Sequence, residues 1–272
     1  MEADTIASAI ILGLVEGLTE FTAVSSTGHL RLLGEFFAVA SPGAAFELAV
    51  RLGALAALLA VYGPRLFGAV RAAPSDPAAR TFVAGWLAGS LAAAGASVLL
   101  QAAARDVLSW TAQAICTGLV LGGAALLIAV RRAPPPRFTD AARLPLRLAV
   151  LVGAAQCVAL VPGVSRAAAA ILAALVLRVE PRAAVDYALI LAVPAMSGTL
   201  VAEFLRHREV LDAGDLLSGG GVLVAAVGFA VAFSAAFVVV RGLLGFVARY
   251  GLEPFAWWRI VVGVLGLAWL AY

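Results

Sequence analysis

Charged side chains are scarce in this sequence of 272 residues, since aspartate, glutamate, lysine and arginine together make up 13% of it. Hydrophobic residues make up 63%, and the mean hydropathy is +1.03. A soluble domain needs more polar surface than this composition supplies, so a soluble protein is excluded. The length leaves room for several membrane spans of about 20 residues each. We therefore predict a polytopic helical membrane protein.

Lysine is absent, and cysteine and histidine occur only twice each. All 19 basic residues are arginine and the formal net charge is +3, which fits basic loops in a lipid setting and predicts no nucleic-acid partner. Cys116 and Cys157 lie in apolar segments and are interpreted as small core residues, so neither a disulfide framework nor a metal site is implied. Glu2 and Asp4 stand where a signal peptide has basic residues, so we expect no cleaved leader.

One apolar stretch near the N-terminus nevertheless carries a dense polar cluster. Glu16 and Glu20 are four residues apart, which places both carboxylates on one face of a helix and suits a divalent cation or a shared proton. The small, hydroxyl-rich break Ser25–Gly28 and then His29 follow, and a helix that restarts after such a break points its positive end at an anion. Together they predict a site for a phosphate ester. Alternatively, the hydroxyl residues only allow close helix packing in a membrane.

Two of the eight apolar segments differ from the others, because Gly, Ser or Pro interrupts them and polar groups lie inside them. These are the first and the fifth, and we predict that each is a re-entrant helix-loop-helix hairpin. The eight segments cover approximately residues 6–39, 45–62, 82–101, 112–130, 149–177, 185–205, 221–240 and 254–271.

A shift of 140 residues brings the two halves of the chain into register, with 13–16 over 153–156. This indicates an internal duplication, although chance similarity in Leu- and Ala-rich sequence is the alternative. Half 1 covers 1–131, a basic, Pro-rich cytoplasmic linker covers 132–147, and half 2 covers 148–272, all in one membrane domain. The predicted fold is all-α and polytopic with an inverted-topology repeat, each half holding one re-entrant hairpin and three transmembrane helices.

The arginines predict the orientation, because cytoplasmic loops carry an excess of positive charge. If the linker, which is the most basic loop, lies in the cytoplasm, the first hairpin enters from the extracytoplasmic side and the second from the cytoplasm. Seven further arginines then lie on the cytoplasmic side: Arg65, Arg71, Arg80, Arg178, Arg182, Arg241 and Arg249. Four fall on the other side: Arg31, Arg105, Arg206 and Arg208.

The second hairpin contributes Gln156 and then the sequence VPGVSR, residues 161–166. Pro162 and Gly163 end one half-helix, and Ser165 and Arg166 begin the next, so a guanidinium and free N–H groups share the hairpin tip. Arg166 is either a structural partner of one of the two glutamates of the first hairpin or a clamp for a phosphate.

Several segments resemble the signature motifs of the undecaprenyl-diphosphate phosphatases, the BacA or UppP family. They are EGLTEF at 16–21, SSTGH at 25–29, LVPGVSR at 160–166, LAVP at 191–194 and PFAWWR at 254–259. The resemblance covers nearly the whole chain. It implies a hydrolase of the bacterial inner membrane with two re-entrant hairpins, an extracytoplasmic active site, dependence on a divalent cation (Mg or Ca) and a link to bacitracin resistance. Its substrate would be undecaprenyl diphosphate, whose dephosphorylation recycles the lipid carrier for cell-wall peptidoglycan. A homodimer is left open.

The resemblance also implies roles for individual residues. Glu16 and Glu20 match the acidic motif associated with metal binding and catalysis, and Ser26 and His29 match competing candidates for the nucleophile, His29 also being a candidate general acid or base. Arg166 matches the phosphate-binding arginine. Arg259 matches a basic position whose role stays open. Four more residues of the two breaks are expected to bind substrate: Ser25, Thr27, Gly163 and Ser165.

This chain departs from the family pattern at four positions. It has Ala23 where the pattern has proline, Ala167 and Ala170 where it has serine and threonine, and Arg51 where it usually has glutamine. Losing two hydroxyls from the second hairpin is expected to reduce activity or change the substrate. Arg51 lies four residues after Glu47, so we expect an ion pair within one helix. The alternatives are a polyprenyl-phosphate carrier or flippase, a catalytically weak or silent paralogue, and an unrelated solute transporter.

Overall fold

The computed structural model describes residues 2–39, 41–104, 110–212 and 221–272. Arg105, expected on the extracytoplasmic side, and the side chain of Arg208 lie outside this description. The described ranges contain ten α-helices and two short 3₁₀ turns. The helices are α1 (Glu2–Thr19), α2 (Ser26–Phe37), α3 (Ala44–Ala72), α4 (Pro77–Ala104), α5 (Ala112–Arg132), α6 (Leu146–Ala155), α7 (Arg166–Val176), α8 (Pro181–Asp212), α9 (Gly221–Tyr250) and α10 (Glu253–Leu270). The 3₁₀ turns are Ala141–Arg143 and Gln156–Leu160.

Six helices of the described ranges are long and apolar enough to cross a membrane, which confirms an all-α polytopic membrane protein. They are α3, α4, α5, α8, α9 and α10, and each covers, to within one residue, one of the six uninterrupted apolar segments. Several extend well beyond those segments; α3 continues past residue 62 to Ala72 and α9 past residue 240 to Tyr250. The extra turns carry arginines. A helix can continue beyond the apolar region because its backbone groups stay hydrogen-bonded within the helix, and the charged ends of the arginine side chains can reach water there.

The two interrupted segments are helix-break-helix units, as their composition predicts. The first consists of α1, a turn over residues 20–25 and α2, and the second consists of α6, the 3₁₀ turn Gln156–Leu160, a break over 161–165 and α7. The apolar helical stretches of these units, residues 5–19, 146–160 and 166–176, are shorter than 18 residues, too short for a typical single crossing.

Helix packing shows that the two hairpins enter the bundle from opposite ends. Gly13 and Gly17 of α1 pack against Gly228 and Ala232 of α9, so these helices run parallel. Helix α9 is in turn parallel to α3, since Gly228 contacts Phe46 and Val50 while Gly53 contacts Phe229. Gly85 and Gly89 of α4 meet Ala149 and Gly153 of α6, so α6 runs parallel to α4. Because α3 and α4 are consecutive antiparallel spans, α1 and α6 point in opposite directions.

Helices α5 and α10 cross through close contacts at small residues. A side chain on Gly123 would meet the carbonyl oxygen of Ala256 at 2.8 Å, and one on Gly263 would meet that of Cys116 at 2.6 Å. Residues 116 and 123 lie 140 positions before 256 and 263, so each contact is the counterpart of the other under the proposed shift. A two-fold relation between the halves requires this reciprocity, while the duplication itself stays a prediction.

The linker between α5 and α6 is extended and fixed to the end of the second hairpin. Phe138 forms a parallel bridge with Val179, and Glu180 N–H donates to the Phe138 carbonyl at 2.8 Å. The Arg137 and Phe138 amides donate to the Arg178 carbonyl at 2.7 and 3.1 Å. The linker therefore holds the end of α7 in place.

Candidate functional site

A polar cavity of about 480 Å³ lies where the two hairpin breaks approach α3 and α8. We call it the polar cavity. Its charged and hydroxyl-bearing wall residues are Glu16, Glu20, Ser25, Ser26, Thr27, Arg31, Arg51, Ser165, Arg166, Thr199, Glu203 and Arg206. Four guanidinium groups and three carboxylates thus face one space inside a largely apolar bundle, where unpaired charges are costly and usually functional.

Glu20 joins the two hairpins at the centre of this cavity. The Ser26 hydroxyl donates to Glu20 Oε2, and Arg166 Nη2 donates to Glu20 Oε1 at 3.3 Å. Arg166 Nη1 also donates to Thr199 Oγ1 of α8 at 3.3 Å. The Glu20 side chain is 13% exposed and that of Arg166 41%. Of the two alternatives for Arg166, the partnership with a glutamate is present, and the guanidinium also lines the polar cavity, where it could contact an anion.

The backbone of the first break turns sharply to deliver Ser26 to the cavity. Ala23 and Ser25 have φ of 61° and 76°, in the left-handed region that costs a non-glycine residue roughly 1–2 kcal/mol. Proline fixes φ near about −65°, so the proline of the family pattern cannot adopt this conformation at position 23. In the second break Gly163 supplies the left-handed residue, with φ of 80°. Helices α2 and α7 consequently begin at the cavity, where their N-terminal ends favour an anion.

Arg259 binds the backbone of both breaks, a role that the sequence left open. Its side chain is 0% exposed. Nη1 donates to the Ala23 carbonyl at 2.9 Å, and Nη2 donates to the carbonyls of Gly163 at 3.2 Å and Gly118 at 3.4 Å. One guanidinium thus fixes the first break, the second break and α5. No spacing rule connects these residues, which are 96 to 236 positions from Arg259 along the chain.

His29 lies beside the polar cavity and does not line it. Its Nδ1 donates to the Ser25 carbonyl at 2.9 Å, and its Nε2 accepts from Trp258 Nε1 at 2.9 Å. A neutral imidazole protonated on Nδ1 satisfies both contacts. The structure therefore brings Ser26 together with Glu20 and Arg166, and places His29 behind the turn that carries Ser26.

The other expected substrate-binding residues are distributed unevenly. Ser25, Thr27 and Ser165 line the polar cavity, and the Ser165 hydroxyl also caps α7 by accepting from Ala168 N–H at 3.3 Å. Gly163 does not line the cavity; its carbonyl is bound by Arg259. Of the two missing hydroxyls, the one at Ala167 is lost from the cavity wall, whereas Ala170 is buried in the apolar core.

Arg51 pairs with Glu203 of α8, so the expected pair with Glu47 is wrong. Helices α3 and α8 are antiparallel neighbours, and a second pair at their other ends joins Arg65 to Asp186 at 2.8 Å. The helix-to-helix partner lies 152 positions away in sequence. Arg51 and Glu203 form this pair because α3 and α8 pack side by side and both side chains line the polar cavity. Sequence spacing therefore missed Glu203, and it gave no signal for Thr199.

Glu16 and Glu20 are the cavity carboxylates that could hold a cation, although Glu20 already accepts from Ser26 and Arg166. Glu16, 2% exposed, lines the cavity together with Glu20. No group of three or more His, Cys, Asp or Glu that could hold a metal occurs in the part of the chain that the structure describes. Two carboxylates and neighbouring hydroxyls fit a hard cation such as Mg²⁺, which commonly takes its remaining ligands from substrate phosphates and water.

Comparison with known proteins gives a consistent result. A family model described as "Bacitracin resistance protein BacA" matches residues 9–265. The chain is 46% identical over 268 residues to an undecaprenyl-diphosphatase of Cereibacter sphaeroides, covering 98% of both chains. It is 45% identical over 264 residues to that of Phenylobacterium zucineum, covering 97% of both, and 43% identical over 262 residues to that of Caulobacter vibrioides, covering 96% of both.

Proposed function

Because the chain belongs to the bacitracin resistance protein BacA family, we propose that it hydrolyses undecaprenyl diphosphate to undecaprenyl phosphate and inorganic phosphate. The product would be the lipid carrier for cell-wall glycans. The observation that carries this proposal is the junction of Ser26, Glu20 and Arg166, which unites both hairpins in a cavity rich in arginine.

Ser26 is the nucleophile in this proposal. Its oxygen attacks the terminal phosphorus while Glu20 takes the hydroxyl proton, and the bond from that phosphorus to the bridging oxygen breaks. Undecaprenyl phosphate leaves with the bonding electron pair and receives the proton from Glu20. Glu20 then takes a proton from water, whose oxygen attacks the phosphoserine. Phosphate is released, and the Ser26 oxygen recovers that proton. The cavity geometry favours Ser26 over His29, whose ring nitrogens are engaged by Ser25 and Trp258.

Charge stabilisation comes from the second hairpin. Arg166 is the first residue of α7, so its guanidinium and the helix N-terminus act on the same phosphoryl group. Donors fixed in place before the reaction stabilise developing charge without reorganisation. We propose that Glu16 and Glu20 also hold a divalent cation, Mg or Ca, which when bound would neutralise charge on the diphosphate.

We propose the bacterial inner membrane as the location, with the polar cavity open to the extracytoplasmic side. Support comes from the ends of the spanning helices. Arg51 and Arg206 lie near the cavity end of α3 and α8, whereas the opposite ends and the linker carry many more arginines, as cytoplasmic loops do. Arg51 and Arg206 would then face a lipid headgroup on the extracytoplasmic side.

The test of the proposed function is phosphate release from undecaprenyl diphosphate by purified protein in detergent, with added Mg²⁺ or Ca²⁺ and then with a chelator. We expect release that depends on the cation and returns when the cation is restored. Folded protein that binds the lipid but releases no phosphate with either cation would contradict hydrolysis. Movement of polyprenyl phosphate across vesicles by that protein would then favour the carrier, which the opposite entry of the two hairpins also suits.

A further inference from the structure

A second cavity adjoins the polar cavity between α1, α2 and α3. Its volume is about 280 Å³, and it shares Thr27, Arg31 and Arg51 with the polar cavity. We call it the apolar cavity, because most of its remaining wall consists of Leu12, Leu30, Val39, Phe46 and Val50. A polar space and a mainly apolar one that share wall residues match a molecule with a charged head and a hydrocarbon tail.

Arg51 stands at the junction of the two cavities. Its side chain is 24% exposed, and its partner Glu203 is 25% exposed, so the ion pair is partly shielded and still reachable. The bond to Glu203 uses Nη1 alone. A guanidinium has five N–H donors in a planar fork, so Arg51 retains donors for a second acidic group.

The relative positions of Arg166 and Arg51 indicate which way round a lipid diphosphate would bind. Arg166 lies beside Ser26 and Glu20, the groups that act on the terminal phosphate in the proposed reaction. Arg51 lies where the polar wall meets the apolar wall, which is where the inner phosphate would join its hydrocarbon chain.

We propose that Arg51 binds the inner, ester-linked phosphate of a prenyl diphosphate and that the apolar cavity holds the first prenyl units. This inference rests on the proposed function, because it assigns the orientation of the same substrate. Arg51 exchanges part of its contact with Glu203 for the phosphate. It thereby supplies a charged donor in a cavity whose wall lacks a hydroxyl at Ala167.

The two reaction products distinguish the arginines. Undecaprenyl phosphate keeps the inner phosphate, whereas inorganic phosphate derives from the terminal one. Arg51→Gln is therefore expected to weaken direct binding of undecaprenyl phosphate about tenfold or more, as loss of a charge-assisted hydrogen bond does. Binding of inorganic phosphate should change by less than about twofold on the same scale. In turnover, KM should rise by a larger factor than kcat falls, since Arg51 does not touch the transferred group.

Glu203→Gln is the matched control, because it removes the same ion pair and leaves Arg51 in place. We expect it to retain or strengthen binding of undecaprenyl phosphate. If it weakens binding as much as Arg51→Gln does, Arg51 only holds α3 to α8 and the proposal is overturned. Leu30→Trp, which fills the apolar cavity, should weaken binding of undecaprenyl phosphate and leave binding of inorganic phosphate unchanged. If this variant binds undecaprenyl phosphate as tightly as the wild type, the apolar cavity does not hold the prenyl units.

Arg51→Lys covers the case in which Arg51→Gln fails to fold. Lysine keeps the charge and loses the planar fork, so binding of undecaprenyl phosphate should weaken by less than in the glutamine variant but measurably. Unchanged binding in whichever of the two variants folds overturns the proposal. Binding needs no turnover, so a chain that binds undecaprenyl phosphate through Arg51 but releases no phosphate defeats the proposed function and leaves this assignment standing.

Discussion

At the scale of single residues, Arg259 shows how a buried cation can serve as a scaffold. Its guanidinium satisfies three backbone carbonyls that belong to the two breaks and α5. The Ala23 and Gly163 carbonyls lie in breaks where no helical N–H reaches them, and buried carbonyls need a donor. Arg259 therefore determines how closely the Ser26 turn and the Arg166 turn approach each other.

Arg259→Lys is expected to destabilise the protein, because one ammonium cannot reach the three carbonyls at once. Each buried carbonyl left without a donor costs about 1–3 kcal/mol. The prediction is a lower thermal midpoint in detergent and a lower kcat, since the two breaks lose their common anchor. Arg249→Lys is the control, because Arg249 is an exposed residue near the end of α9. Equal midpoints for the two variants would show that Arg259 is not an anchor.

At the scale of helices, contact between small residues sets the position of the first hairpin. Gly13 and Gly17 of α1 form a GxxxG pattern against α9. A Cβ atom on Gly17 would lie 2.6 Å from the Ala232 carbonyl oxygen and 2.7 Å from the Ala235 Cβ atom. Glu16 lies in α1 and Glu20 directly follows its last residue, so this packing also positions both carboxylates.

Gly17→Ala should therefore push α1 away from α9 and cost at least about 1 kcal/mol, as overpacking does. Phosphate release should fall as well, because Glu20 moves with the helix. Gly242→Ala in α9 is the matched control, since a Cβ there meets nothing within 4 Å. Alanine is favoured over glycine in a helix by up to about 1 kcal/mol, so the control should be neutral or stabilising. A neutral Gly17→Ala variant would contradict the close contact.

At the scale of the whole molecule, composition and apolar segments were enough to predict the six spans and the two broken segments. The meeting of the acidic break with the arginine break was also predictable, because broken helices in such bundles build the site. The partners of Arg51 and Arg259 were not. Their contacts join residues about a hundred or more positions apart, whereas spacing rules relate neighbours along one helix, and that rule led to Glu47 for Arg51.

The orientation of the whole molecule is testable with single cysteines in a cysteine-free background. Ser41 precedes α3 at the cavity end, and Ser75 lies in the turn between α3 and α4 at the other end; both are exposed. An impermeant maleimide should label Ser41→Cys in intact spheroplasts and Ser75→Cys only after lysis. Thr139→Cys in the linker should behave like Ser75→Cys. The reverse labelling pattern would place the cavity in the cytoplasm.

The most direct test of the site compares phosphate release from undecaprenyl diphosphate by the wild type, Ser26→Ala and Ser234→Ala. Ser234 is the matched serine, since it lies on α9 and its hydroxyl donates to the Ala230 carbonyl of the same helix at 2.8 Å. We predict that Ser234→Ala keeps the wild-type rate and that Ser26→Ala loses at least about a hundredfold, as expected for removal of the attacking group. A Ser26→Ala variant that releases phosphate at the wild-type rate would show that this cavity does not work through Ser26.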